Sequence, residues 1–232
     1  MSMPPATFVL VHGAWCGGWI WRRVEDLLRA EGHRVFAPTL TGVADRSHLA
    51  SPAIDLSTHV NDIANLLRWE ELRDVVLVGH SYGGMVITGV AEAAPAGVID
   101  AIVYLDAFLP ANGHSLADYA PLPSTDDFLV PPIPAAPPRT NAADAEWMNR
   151  LRTPQPRATF EEPVRLGGAL ERIRSKTYVL ATGYDSSVFA PFAEQARDDT
   201  TWRYCELDCG HDVMLARPGE TARILTDAAG GR

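Results

Sequence analysis

Ser81 stands at the centre of the pattern Gly79-His80-Ser81-Tyr82-Gly83, in which a serine has a glycine two residues away on each side. The apolar residues 75–78 precede the pattern and the apolar residues 85–94 follow it, which predicts a buried strand, a sharp turn and a helix. Glycines are needed in the turn because side chains at 79 and 83 would clash with closely packed neighbours. A serine at the apex of such a strand–turn–helix unit is predicted to be a nucleophile.

A serine hydroxyl is a poor nucleophile at neutral pH and needs a base, normally a histidine that a carboxylate orients. In an open parallel sheet these groups meet at the carboxyl ends of the strands. Six of the seven histidines lie elsewhere or fit a structural role better: His12, His33, His48, His59, His80 and His114. The seventh, His211, follows the last predicted strand in a glycine-containing turn and is therefore the predicted base.

Two aspartates could orient His211. Asp185 follows the strand predicted over residues 178–182, and Asp106 ends the strand predicted over residues 101–105. Both positions lie at the carboxyl end of a strand, so either carboxylate could reach the imidazole. We favour Asp185 as the acid and keep Asp106 as the alternative.

A serine that attacks a carbonyl carbon also needs backbone N–H groups that stabilise the negatively charged oxygen formed by the attack. The expected donors are Tyr82, which follows the nucleophile, and Ala14, which lies in the glycine-rich turn after the first strand. Apolar and aromatic side chains could line a substrate pocket beside them, and the candidates are Trp15, Phe108, Leu109 and Trp147.

Strands alternate with amphipathic helices through most of the chain, which predicts βαβ units and a parallel sheet. Residues 110–175 break this rhythm, because seven prolines lie between positions 121 and 138. Short helices are expected there at about 142–151 and about 164–172. Since the segment falls between two core strands, we interpret residues 110–175 as an inserted cap on a core formed by residues 1–109 and 176–232.

The 232-residue chain has a hydrophobic fraction of 47% and a formal net charge of −9, values that fit a single globular domain. The acidic balance disfavours nucleic acid and an anionic membrane as partners. The three cysteines have no metal-ligand or disulfide spacing, and neither a signal peptide nor a bilayer-spanning apolar run is visible. We expect a cytoplasmic protein without metal or cofactor, and a homodimer is one alternative for its assembly.

Several stretches resemble the small α/β-hydrolases, a branch that includes plant methylesterases, hydroxynitrile lyases and bacterial esterases of the pyrethroid-hydrolase type. The stretches common to the branch are Phe8-Val9-Leu10-Val11-His12-Gly13-Ala14, Gly17-Gly18-Trp19, the serine motif to Gly84, and Gly210-His211. Pro38-Thr39-Leu40-Thr41-Gly42, Arg46-Ser47-His48 and Tyr104-Leu105-Asp106-Ala107-Phe108 are similar to the bacterial esterases. The resemblance implies an α/β-hydrolase fold with a mostly parallel six-stranded sheet, flanking helices and a small cap.

The resemblance also implies a serine carboxylic-ester hydrolase that forms an acyl-enzyme with a small hydrophobic or aromatic ester. Family esterases place their acid at the position of Asp185, although some bacterial relatives lack an aspartate there. Hydroxynitrile lyases of the family carry a lysine where this chain has Asp212 and a threonine where it has Gly13, so cyanohydrin cleavage is disfavoured. A carbon–carbon lyase of that kind and a ligand-binding receptor on the same fold remain the alternatives.

Overall fold

The computed structural model describes residues 4–124, 127–185 and 187–230. Its strands are β1 (Thr7–Val11), β2 (Arg34–Phe36), β3 (Val75–His80), β4 (Ile99–Leu105), β5 (Leu129–Val130), β6 (Gln155–Pro156), β7 (Ser175–Ala181) and β8 (Trp202–Leu207). Six of them form one sheet in the order β2-β1-β3-β4-β7-β8, and every neighbouring pair is parallel. The predicted six-stranded parallel sheet is confirmed.

The strand order reverses between β1 and β3, because the chain leaves β1 for β2 on one side and returns to β3 on the other. Open α/β sheets bind their ligands in the crevice at such a point, beyond the carboxyl ends of the strands. Val11 of β1 is in register with Gly79 of β3, so the loops that follow these two strands leave the sheet side by side. Every residue of β3 is buried, as expected for a strand covered on both faces.

Helices cover the two faces of the sheet. They are α1 (Arg22–Ala30), α2 (Leu56–Trp69), α3 (Gly83–Ala93), α4 (Ala142–Leu151), α5 (Ala158–Glu161), α6 (Ala190–Asp198), α7 (Val213–Ala216) and α8 (Pro218–Gly230). Buried residues of α2, α3 and α6 join one apolar cluster, and those of α1, α7 and α8 join a second. The sheet therefore has an apolar core packed against each of its faces. This packing on both sides holds the strand ends in a fixed arrangement.

The inserted segment predicted over residues 110–175 lies between β4 and β7, except that Ser175 already begins β7, and it contains the short antiparallel pair β5–β6. Helix α4 coincides with the helix predicted at 142–151. The helix predicted at 164–172 is wrong, because only Leu170–Arg172 forms a helical turn there, of the 3₁₀ type. Gly168 has a φ of +87°, which a continuous α-helix cannot include.

Trp15, in the loop after β1, connects the inserted segment to the core. Its backbone N–H donates to Oε1 of Gln155 at 2.8 Å, and its indole Nε1 donates to the carbonyl of Val130 at 3.0 Å. Its carbonyl accepts the N–H of Thr153 at 3.2 Å. The inserted segment is therefore anchored next to the predicted oxyanion donor, Ala14. Within the ranges described above, no helix is long and apolar enough to span a membrane.

Candidate active site

The turn between β3 and α3 places Ser81 at its apex, half-buried, with a φ of +54°. Residues other than glycine rarely adopt this left-handed conformation, and such strain concentrates at functional sites. A Cβ atom on Gly83 would lie 2.7 Å from the carbonyl oxygen of Val11, and one on Gly79 would lie 2.7 Å from the carbonyl oxygen of Gly83. The sharp turn and the need for both glycines are as the sequence predicts.

His211 follows β8, and its Nδ1 lies 2.6 Å from Oδ2 of Asp106, the residue after β4. Asp106 is completely buried, and its Oδ1 also accepts the N–H of Ala181 at 3.1 Å. Burial raises the pKa of Asp106 to about 6. Burial and two nearby arginines hold the pKa of His211 well below its usual value. At neutral pH the imidazole is therefore uncharged, with Nδ1–H donating to the carboxylate and the lone pair on Nε2.

The preference for Asp185 over Asp106 as the partner of His211 is contradicted by this geometry. Asp185 is exposed, and its Oδ1 accepts the backbone N–H of Ser187 at 3.1 Å, a local turn contact. Asp106, the alternative, makes the contact instead. Its own φ of +45° shows that the chain bends sharply as it leaves β4.

Tyr184, a residue that the sequence reasoning missed, contacts both members of this pair. Its hydroxyl donates to Oδ2 of Asp106 at 2.5 Å and lies 3.2 Å from Nδ1 of His211. This hydrogen bond lowers the pKa of Asp106, while burial and the adjacent carboxylate raise the pKa of Tyr184 far above its usual value. The sequence offered one signal for a role of Tyr184 in the site: it is adjacent to Asp185, in the loop after β7.

A cavity of about 70 Å³ lies where the elbow, the His211 turn and the inserted segment meet. Its lining residues come from all three and from the loop after β1: Gly13, Ala14, Trp15, Cys16, His80, Ser81, Ile133, Pro134, Ala135, Arg139, Arg152, His211 and Asp212. Within the described ranges, the N–H groups of Ala14 and Tyr82 donate to no backbone carbonyl. Both groups therefore remain candidates for the oxyanion hole.

Of the four predicted pocket residues, Trp15 lines this cavity and the other three do not. Phe108 and Leu109 are buried in the core, with exposed fractions of 5% and 3%. Trp147 packs edge-on against Trp19 with ring centroids 4.9 Å apart, at a separate surface cleft. The position of Trp147 on α4 turns its ring toward Trp19 and α1, so the structure does not place it in the cavity that Ser81 lines, where the sequence had predicted it.

The other buried histidines near the elbow have structural contacts. Both ring nitrogens of His12 and of His59 are hydrogen-bonded, and both rings are fully buried. His80 has an exposed fraction of 2%, and its Nε2 is 3.0 Å from the carbonyl oxygen of His211. Because a carbonyl oxygen only accepts, Nε2 of His80 carries the proton and Nδ1 carries the lone pair. Among the described residues, no group of three or more His, Cys, Asp or Glu side chains could hold a metal ion.

Three charged residues of the cavity were not predicted as site residues: Arg139, Arg152 and Asp212. Asp212 is 2% exposed, and burial raises its pKa to about 6. In the described part of the chain, its Oδ1 and the Nε of Arg152 are buried without hydrogen-bond partners. The wall of the cavity next to the nucleophile is therefore polar.

A strained serine elbow and a buried His–Asp pair, on the loops of a parallel sheet, define an α/β hydrolase. Consistent with this, the family model described as "Alpha/beta hydrolase family" matches residues 8–224. The chain belongs to this family. The predictions of the fold, of the family and of a hydrolytic enzyme are confirmed.

Among curated proteins, the chain is similar to a carbendazim hydrolyzing esterase from Nocardioides sp. (strain SG-4G). The two are 42% identical over 238 residues, which cover 95% of this chain and 98% of that protein. An alpha-hydroxynitrile lyase from Arabidopsis thaliana is 40% identical over 109 residues, 46% of this chain and 42% of the lyase. The esterase is thus similar from end to end, while the lyase match covers less than half of each chain.

Among solved structures, an extracellular alpha/beta-hydrolase from a Paenibacillus species superposes with a TM-score of 0.80 at 23% identity. The match covers 97% of this chain and 99% of that one. At this identity the similarity establishes the fold alone.

Proposed function

We propose that the protein is a serine carboxylesterase in which Ser81, His211 and Asp106 form the catalytic triad. The observation that carries the proposal is the 2.6 Å contact between His211 and Asp106 beside a cavity that Ser81 also lines. The neutral His211 can act as a base, and the strained elbow presents Ser81 to the cavity. The end-to-end similarity to a named esterase supports the same reaction.

The residues would act in the following order. Ser81 Oγ forms a bond to the carbonyl carbon of the ester while its proton passes to Nε2 of His211. Asp106 stabilises the imidazolium, and the N–H groups of Ala14 and Tyr82 donate to the oxyanion. The C–O bond then breaks, and the alcohol leaves with the proton from His211. Water, activated by His211, cleaves the acyl-serine in the second half, so the reaction needs no cofactor.

The substrate class we propose is a small ester that bears a hydrophobic or aromatic group. The cavity has a volume of about 70 Å³, and Trp15, Ile133 and Pro134 give it an apolar side. Because the Nocardioides relative is named for the hydrolysis of carbendazim, carbendazim is the first compound to assay with this chain. Simple methyl esters are the second.

The inserted segment acts as the cap of this site in our proposal, because Ile133, Pro134, Ala135 and Arg139 form part of the cavity wall. We also keep the proposal of a cytoplasmic protein, which is supported by the three free cysteines. A homodimer remains one alternative for its assembly, to be decided by light scattering.

The test of the triad is the hydrolysis of p-nitrophenyl acetate by the wild-type protein and by Ser81→Ala. Removing the nucleophile of a triad lowers kcat by about 10⁴-fold or more, so the variant should retain almost no activity. A fluorophosphonate should add its mass to the Ser81 peptide of the wild type and not to the variant. Undiminished hydrolysis by Ser81→Ala would refute the proposal.

A carbon–carbon lyase remains the second candidate because one premise against it is wrong. The sequence disfavoured a lyase because Asp212 replaces the lysine of the lyases, whose positive charge would stabilise the cyanide ion, yet Arg139 and Arg152 line the cavity and carry such a charge. The similarity to the Arabidopsis lyase over part of the chain points the same way. Release of cyanide from mandelonitrile at a rate above that of ester hydrolysis would favour the lyase.

A further inference from the structure

Gln155 is a buried residue of the inserted segment that forms a hydrogen bond with the loop of the proposed oxyanion donor Ala14. It is 1% exposed, and its Oε1 accepts the backbone N–H of Trp15 at 2.8 Å. Trp15 follows Ala14, and its φ of +62° is a left-handed conformation that costs free energy in a residue other than glycine. The hydrogen bond with Gln155 therefore offsets strain at the peptide that joins Ala14 to Trp15.

The loop itself is a β-turn whose central residues are Ala14 and Trp15, because the N–H of Cys16 donates to the carbonyl of Gly13 at 3.4 Å. A positive φ at the second central residue alone is the type II form, which normally has glycine there. Rotation of the central peptide gives the type I form and changes ψ of the first central residue by about 150°. Gln155 bonds the N–H of this peptide and so selects one form, which keeps the N–H of Ala14 in one direction.

The hydroxyl of Thr159 decides which end of the Gln155 amide faces Trp15. Its Oγ1 lies 2.7 Å from the carbonyl oxygen of Pro156 and 2.8 Å from Nε2 of Gln155. Because a carbonyl oxygen only accepts, the hydroxyl proton goes to Pro156, and a lone pair of Oγ1 accepts the N–H of Nε2. The oxygen end of the amide is thereby left for the N–H of Trp15.

Helix α5, which includes Thr159, also contacts Tyr82, the residue of the second proposed donor. A hydrogen bond between the Tyr82 and Thr159 side chains opposes the rise in the pKa of Tyr82 that burial causes. The ring centroid of Phe160 lies 5.5 Å from that of Tyr82 and 5.6 Å from that of Trp15. Two adjacent side chains of α5 thus connect the two residues that flank the proposed oxyanion hole.

We propose that Gln155 is a positioning residue of the oxyanion hole, which fixes the peptide of Ala14 through Trp15 and does not touch the substrate. Gln155 does not line the cavity of Ser81, whereas the turn that it holds does. A Cβ atom on Gly13 would lie 3.0 Å from Cβ of Ser81, so this turn packs against the nucleophile. Donors stabilise an oxyanion best when they are oriented before it forms. This inference rests on the proposed function, since it needs an oxyanion at Ser81.

Gln155→Met tests this role, because methionine keeps the length of the side chain and removes the oxygen that accepts the N–H of Trp15. Single-turnover acylation by p-nitrophenyl acetate at pH 8 gives the rate constant at saturation and the half-saturating concentration. Glu162→Ala is the matched control. Glu162 also joins the inserted segment to the core, where it accepts the N–H and the hydroxyl of Ser57 at 2.6 Å and 2.7 Å, but it does not line the cavity of Ser81.

Removing one oxyanion donor costs about 10²–10³-fold in kcat, so loosening one should lower the acylation rate constant of Gln155→Met at least tenfold. Its half-saturating concentration should stay within twofold, because substrate binds before the oxyanion forms. Glu162→Ala should change neither value by more than twofold. If Gln155→Met does not fold, Thr159→Val, which removes the group that orients the amide, should lower the rate constant at least threefold. A wild-type rate in a folded variant, or an equal loss in Glu162→Ala, would overturn the proposal.

Two ketones separate oxyanion stabilisation from binding. With 2,2,2-trifluoroacetophenone, Ser81 Oγ bonds to the carbonyl carbon, the carbonyl oxygen takes the electron pair, and the serine proton passes to His211. Acetophenone has nearly the same shape and binds without forming that bond. Gln155→Met should raise the inhibition constant of the trifluoroketone at least tenfold and that of acetophenone by less than twofold. Equal changes for both ketones would mean that the substitution alters the shape of the pocket, and the proposal would fail.

The same measurements distinguish this proposal from the proposed function. If Ser81→Ala hydrolyses p-nitrophenyl acetate as fast as the wild type, the proposed function is wrong. If Ser81→Ala is inactive and Gln155→Met acylates normally, the proposed function stands and only the role of Gln155 is wrong. The midpoint of the pH profile, which depends on Asp106 and His211, should not move in Gln155→Met; a shift would show that the substitution acts on the triad instead.

Discussion

Replacing Asp106 with asparagine tests the acid of the triad, and Asp185→Asn is its matched control because both residues follow neighbouring strands. During attack by Ser81, His211 becomes positively charged, and Oδ2 of Asp106 lies 2.6 Å from its Nδ1. If the centres of the two charges are about 4 Å apart in an effective dielectric of about 20, their attraction is about 4 kcal/mol. That energy corresponds to a rate difference of roughly 10³-fold.

The assay is single-turnover acylation by p-nitrophenyl acetate at pH 8, with the burst amplitude giving the concentration of active sites. Asp106→Asn should acylate roughly 10³-fold more slowly than the wild type, because the amide carries no charge to stabilise the imidazolium. Asp185→Asn should stay within about twofold of the wild type, since its carboxylate is exposed and contacts only its own turn. Slow acylation by Asp185→Asn together with a near-normal rate for Asp106→Asn would refute the assignment.

Two further predictions concern Tyr184 and Gly84. The pKa of Asp106 is about 6, so kcat/KM should fall as the pH drops through about 6, because the carboxylate then takes up a proton. The Tyr184 hydroxyl donates a hydrogen bond that lowers this pKa. Tyr184→Phe removes that donor and should therefore move the midpoint of the pH profile upward by about 1 pH unit. An unchanged midpoint in a folded variant would count against the role of Tyr184. Gly84→Ala should lower the free energy of unfolding in urea by about 3 kcal/mol or more, because the added Cβ would lie 2.0 Å from the carbonyl oxygen of Phe108. Gly219→Ala is the control and should be neutral, since no atom lies within 4 Å of the position of its Cβ.

The sheet, the elbow and His211 could be predicted because each is recognised from a local pattern in the sequence. An apolar run, two glycines and a serine identify the elbow, and the order of strands places His211 at the same edge. The choice between Asp106 and Asp185 could not be made in this way. Both follow a strand, and the outcome depends on the φ of +45° at Asp106 and on the turn that Asp185 caps.

The polar wall of the cavity could not be predicted from the sequence, for a different reason. Arg139 and Arg152 belong to the proline-rich inserted segment, where no periodicity indicates which side chains face the core. Asp212 was visible in the sequence as a departure from a family pattern, but the lack of a hydrogen-bond partner for its Oδ1 among the described residues is a property of packing. Trp147 was misplaced because the position of α4 over α1 depends on long-range contacts such as the ion pair of Arg23 with Asp144, 2.6 Å apart.

The three hydrogen bonds of Trp15 link access to the site with its reactivity. Its backbone N–H, carbonyl and indole are all held by the inserted segment, and its φ of +62° is a conformation that needs such restraint. The peptide of Ala14 is its immediate neighbour. A displacement of the inserted segment that broke these bonds would also free the peptide next to Ala14. The position of the inserted segment and the backbone geometry at the proposed oxyanion donor are therefore mechanically coupled.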